Sequence, residues 1–70
     1  MRSGSRGQPV IELQTRLNRW LTSQGRQTLT VDGVFGQRTK SAVKAFQGAV
    51  HLRRDGIVCP NTRSVLVRNW

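Results

Sequence analysis

The chain predicts an all-α fold, a compact three-helix bundle in which two Asp-Gly turns each lead into a helix. Three observations carry this reading. Apolar residues recur at helical spacing in three separate stretches. The stretches "VDGVFGQRTKSAV" (31–43) and "RDGIVCPNTRSVL" (54–66) repeat one pattern 23 residues apart, without a gap. The only β-branched run, "RQTLTV" (26–31), is too short to be more than an extended connection.

In the first stretch, Val10, Leu13, Leu17, Trp20 and Leu21 form one apolar stripe. Pro9 suits a first helical turn, where a missing N–H costs nothing, and Gly25 suits a left-handed stop. The spacing predicts a helix over about 9–22. Asp32-Gly33 is a turn signal, Asp bonding to the backbone ahead and Gly supplying positive φ.

The second copy helps to read the first. Pro60 makes Cys59 an N-cap, and by register Gly36 takes that place in the other copy. Thr39 and Thr62 then fall at the third helical position, where a hydroxyl can reach back to the turn. A second helix, about 37–50, carries Ala42, Val43, Phe46, Ala49 and Val50 on one side, with Gly48 weakening it. A third, about 60–68, brings Val65, Leu66 and Trp70 to the core, which Phe35 and Val58 plug at its ends. Residues 1–7 read as a flexible lead-in, leaving 8–70 as the domain.

Seventy residues make one small domain, too small for a deep catalytic cavity. Twelve Lys and Arg against three acids give a formal net charge of +9, which attracts polyanions such as nucleic acid, an acidic membrane or an anionic wall polymer. The start "MRSGSRGQ" lacks the apolar region of a signal peptide, and no apolar stretch is long enough for a membrane span. With one cysteine there is no internal disulfide. His51 and Cys59 are single, so they supply neither a metal site nor a catalytic set, and no phosphate loop is present. The residues thus spell a non-catalytic module with no metal and no cofactor.

As an ordered set, "VIELQTRLNRWL", "VDGVFGQRTKSAVKAFQ" and "LRRDGIVCPNTRSVL" resemble the peptidoglycan-binding domain 1 family, a three-helix module attached to bacterial and phage cell-wall hydrolases. The resemblance covers about residues 7–67. It rests on Leu13-Gln14 with Leu17, on Asp32-Gly33-x-Phe35-Gly36-x-x-Thr39 with Phe46-Gln47, and on Asp55-Gly56 with Thr62 and Leu66. Two departures stand out: Cys59 replaces the family's usual Gly, and Val50-His51-Leu52 stands where an Asn-Gly pair is common.

The resemblance implies binding of peptidoglycan, an anionic wall polymer, by a monomer that brings a hydrolase, a phage endolysin among the candidates, to its substrate. Action would be at the wall, extracellular or periplasmic, with the chain phage-encoded or a fragment. The candidate binding residues are those of the turns: Asp32, Gly33, Phe35, Gly36, Thr39, Asp55, Gly56 and Thr62. Turn and cap chemistry accounts for the same residues without any ligand. Two other readings stand beside this one. A basic three-helix domain can bind nucleic acid, but no helix here gathers its cations on one face beside base-reading Asn or Gln. A virion or assembly component is the other.

Overall fold

The computed structural model describes residues 1–70, which form three helices and no sheet: α1 (Gln8–Ser23), α2 (Gln37–Ala49) and α3 (Pro60–Asn69). Each helix lies within two residues of its predicted bounds. The core is the set of stripes read from the sequence. Val10, Leu13, Leu17, Trp20 and Leu21 of α1 meet Ala42, Val43 and Phe46 of α2 and Leu66 of α3, with Phe35 and Val58 closing the ends. Phe46 is its centre, presenting edges to Trp20 at 5.4 Å and Trp70 at 6.0 Å between ring centroids. Ala49 differs from expectation: it is exposed, at the last position of α2, although Phe46 and Gln47 of the same turn are buried.

The predicted stop of α1 has a full left-handed cap. Gly25 takes φ 68°, its N–H donates to Thr22 O, and the Arg26 N–H donates to Leu21 O at 2.8 Å. Residues 26–31, which follow, form neither helix nor strand, and Asn18 pins them by accepting the Leu29 N–H at 2.7 Å and donating to Leu29 O at 3.0 Å.

α2 ends in the same way, but with the wrong residue for it. The Leu52 N–H donates to Gln47 O and the His51 N–H to Gly48 O, which places His51 at φ 61°. A side chain in that region costs about 1–2 kcal/mol that glycine does not pay, partly offset by glycine's greater freedom when unfolded. His51→Gly is therefore expected to stabilise the domain by roughly 1 kcal/mol, read as a higher urea midpoint with an unchanged slope.

Residues 1–7 were expected as a flexible lead-in, yet in the structure they are bonded along both turns. Gly4 N–H donates to Phe35 O, Phe35 N–H to Ser5 O and Gly7 N–H to Gly33 O, with an antiparallel bridge between Arg6 and Val34. Val58 N–H donates to Met1 O at 2.7 Å. The physical reason is that each turn leaves backbone groups facing outward that need partners, and an extended polar strand supplies them.

Candidate functional site

The repeated turns are built around two buried glutamines. Gln14 and Gln47, each 1% exposed, project from the apolar stripes of α1 and α2. The Gln14 amide nitrogen Nε2 donates to Asp32 Oδ1 at 3.0 Å, Val34 O at 3.0 Å and Thr39 Oγ1 at 3.1 Å, while its Oε1 accepts the Gly33 N–H at 3.0 Å. Gln47 does the same one unit later. It donates to Asp55 Oδ1 at 3.1 Å, Ile57 O at 2.9 Å and Thr62 Oγ1 at 3.2 Å, and accepts the Gly56 N–H at 3.0 Å. Two amide hydrogens serve three acceptors, so one is shared in each case.

Each Asp-Gly turn is thus closed locally and then clamped from the preceding helix. Asp32 Oδ1 accepts the Val34 N–H at 3.0 Å, and Asp55 Oδ1 the Ile57 N–H at 2.9 Å, the bond to the backbone ahead that the sequence predicts. Gly33 and Gly56 adopt φ 74° and 71°. The Thr39 and Thr62 hydroxyls accept the glutamine amides, and Thr62 alone also reaches back, to Cys59 at the end of its turn. Cys59 and Gly36 hold the N-cap positions, neither with a side-chain cap bond. The exposed Cys59 thiol lies 3.4 Å from the Thr62 hydroxyl, a bond that moves its pKa down.

Both turn carboxyls are held below their ordinary pKa. For Asp32 the Val34 N–H is the main cause, then the Gln14 amide. For Asp55 it is the Ile57 N–H, with smaller help from Gln47 and the Arg53 charge against a small opposing effect of burial. Because folding lowers these values, the stability they lend is present above the unfolded value and is lost as pH falls through the folded one. The melting temperature is expected to be level near neutrality and to drop below about pH 4. The Asp32→Asn/Asp55→Asn pair should flatten that drop. An unchanged acid slope in the pair would mean that the turn carboxyls do not carry it.

The candidate residues therefore divide. Gly33, Phe35, Thr39, Gly56 and Thr62 are buried and occupied with turn and core. Asp32 and Gly36 border an open groove beside the start of α2, with Leu29, Val34 and Arg38 on its walls. There Asp32 keeps its second carboxylate oxygen toward solvent, and Val34 is 38% exposed. A second groove runs between α1 and α3, over Pro9, Leu13, Leu66 and Val67, flanked by Arg16 and Arg63. Nowhere do three His, Cys, Asp or Glu side chains gather as a metal set.

The motif read from the sequence contains both glutamines, as Leu13-Gln14 and Phe46-Gln47, but not their part in the turns. They sit 33 residues apart, while the turns sit 23 apart, so an ungapped overlay of the turns never aligns them. The signal was their phase: each falls on its helix's apolar stripe, directly after Leu13 or Phe46.

Residues 6–66 match the family described as "Putative peptidoglycan binding domain". The chain belongs to that family. The peptidoglycan-binding domain is 46% identical over 59 residues to the zinc D-Ala-D-Ala carboxypeptidase of Streptomyces albus G, a match covering 84% of this chain and 22% of that protein. It is 42% identical over 65 residues to the spore cortex-lytic enzyme of Bacillus cereus, covering 93% of this chain and 24% of that one. The domain thus spans less than a quarter of the length of these relatives. Among solved structures, the SleB N-terminal domain superposes with a TM-score of 0.83 at 40% identity, over 97% of this chain and 88% of that one. An L,D-transpeptidase from Xylanimonas cellulosilytica matches equally, with a TM-score of 0.83 and 40% identity over 100% of this chain and 32% of that one. No helix of the peptidoglycan-binding domain is long and apolar enough to cross a membrane.

Proposed function

We propose that the domain binds cell-wall peptidoglycan without catalysis and holds an attached or partner wall hydrolase, a phage endolysin among the candidates, against its substrate. The observation that carries this reading is the family match across residues 6–66. The names of the relatives support it. A carboxypeptidase, a cortex-lytic enzyme and a transpeptidase denote different reactions, and what each shares with this chain is one segment about the length of this domain.

The groove beside the start of α2 is the proposed contact surface. Val34 and Leu29 offer an apolar floor, the free Asp32 oxygen accepts a sugar hydroxyl or amide N–H, and Arg38 with the uncapped first turn of α2 faces a carboxylate. Gly36 and Thr39 line that groove with Asp32, while Gly33 and Phe35 hold the turn behind it; Asp55, Gly56 and Thr62 are the matching residues of the second turn.

At low salt a domain of net charge +9 sediments with any polyanion, so retention alone decides little. Counterion release makes nucleic-acid binding fall steeply with salt, whereas hydrogen bonds and apolar contacts in a groove are screened far less. The domain is expected to stay on peptidoglycan stripped of its anionic polymers at about 0.5 M salt, where the Debye length is under about 8 Å, while duplex DNA is released. Retention on DNA with loss from the wall would overturn the reading.

A further inference from the structure

The chain carries twelve Lys and Arg, and only Arg16 has a carboxylate partner, Glu12 at 3.5 Å. Asp32 and Asp55 are taken up by amide N–H groups. The unpaired cations are not spread evenly in space. Lys40 and Lys44 lie one turn apart on α2, and the next place in that line is Gly48. That place is filled from outside the helix: a Cβ at Gly48 would collide with Nε, Cζ and Nη2 of Arg54, whose guanidinium lies across the glycine. At 1.5 Å rise per residue, three cations follow one another at steps of about 6 Å. Arg53, next to Arg54 in the chain, is turned toward Asp55, where its charge helps slightly to lower that carboxyl's pKa.

The lysine stems are also fixed in direction. A Cβ at Gly56 would meet Lys40 Cγ at 2.9 Å, Lys40 Cε at 3.0 Å and Lys44 Cε at 3.2 Å, so both stems cross the second turn side by side. The first turn shows that folding does not require this. There the neighbours of Gly33 are Ile11 and the Gly7 carbonyl, which are the positions 33 residues before Lys44 and Lys40. The same architecture is covered once by Ile11 with the Gly7 carbonyl and once by the methylene stems of two lysines, so the cover itself needs no charge. Like charges one turn apart disfavour the helix, and a binding role accounts for a cover that ends in ammonium groups.

We propose that the Lys40–Lys44–Arg54 row on α2 binds a linear phosphodiester polymer that lacks bases, of the polyol-phosphate kind. A repeating row of point charges matches a repeating anion, whereas a lone carboxylate calls for one bidentate arginine. Single-stranded nucleic acid fits less well because base stacking needs open aromatic faces, and duplex DNA is the competitor that the test below includes. Trp20, Phe35 and Phe46 are buried, and Trp70 packs on Phe46. The surface is separate from the groove beside Asp32, and rests on the wall-binding reading only for the choice of polymer.

The test measures binding of the 70-residue chain to poly(glycerol phosphate) of defined length by fluorescence anisotropy, with circular dichroism confirming that every variant is folded. Lys40→Gln/Lys44→Gln/Arg54→Gln is expected to weaken binding at least tenfold in about 50 mM salt. It should also reduce the salt slope by about 2, from roughly 0.7 per lost phosphate contact. Arg2→Gln/Arg6→Gln/Arg68→Gln removes the same charge elsewhere and should weaken binding less than threefold. Gly48→Ala changes no charge but displaces Arg54, and should weaken binding severalfold. Equal losses in the two triple variants, or tighter binding of duplex DNA than of the polymer, would overturn the proposal. Peptidoglycan stripped of anionic polymer separates the two readings. The row variant should bind it like the parent, and failure of the parent there sinks the peptidoglycan reading while leaving the row intact.

Discussion

Replacing Gln14 with leucine is expected to unfold most of the domain at room temperature. Leucine fits the space and adds apolar surface, so the loss is one of hydrogen bonding alone. Four bonds disappear, three donated by Nε2 and one accepted by Oε1, and the Val34 carbonyl and Thr39 hydroxyl lose their donor. At about 1 kcal/mol net per bond the change costs roughly 3–4 kcal/mol. A core of this size supplies only about 3–5 kcal/mol in all. Gln47→Leu should behave alike, since it makes the matching four bonds. Gln14→Glu keeps the shape and removes the donors, so it should also fail. Urea titration followed by circular dichroism reads all three. A leucine variant melting within a few degrees of the parent would mean that the turns close without their clamp.

The second large effect is expected from Phe46→Ala. The ring is fully buried and is the only side chain in edge contact with both tryptophans, at interplanar angles of 83° to Trp20 and 87° to Trp70. Truncating a buried phenylalanine costs about 3–5 kcal/mol in lost transfer energy and residual cavity, again the whole of what this core provides. Phe46→Leu, which keeps much of the volume, should cost under about 1.5 kcal/mol. Tryptophan emission gives the readout, since unfolding exposes both indoles. Emission from Phe46→Ala that stays at the parent's wavelength, together with a near-parental urea midpoint, would show that the core refills the space.

The helices were legible because their stripes are strong and their ends are signed: Pro9 and Pro60 at two starts, Gly25 past one end. The turns were legible because Asp-Gly recurs. What the turns attach to was not. A glutamine beside a leucine reads as surface unless its helical phase is checked, and the clamp spans 18 residues in one unit and 8 in the other. No single offset exposes that pairing. The length of the α1-to-turn connection, held by Asn18, is what hides it. The docking of residues 1–7 escaped for another reason: a Gly/Ser-rich polar segment has no pattern of its own, and its order comes from backbone groups the turns leave open. His51 in a left-handed conformation was signalled only by the resemblance, through the Asn-Gly pair common at that place, because the bonds that put it there belong to Leu52 and to its own N–H.

The helix α2 belongs to both clamped units. Near its start Thr39 is held by α1, and near its end Gln47 holds the second turn and α3. The two units are therefore expected to open together, since each takes bonds from the same helix. For a protease this leaves no half of the molecule to nibble: the chain presents cleavable backbone at its surface connections or, through complete opening, everywhere at once. When opening and closing are fast relative to cutting, lifetime in a protease-rich setting then follows the global folding equilibrium. Every residue that raises that equilibrium, wherever it sits, lengthens service equally.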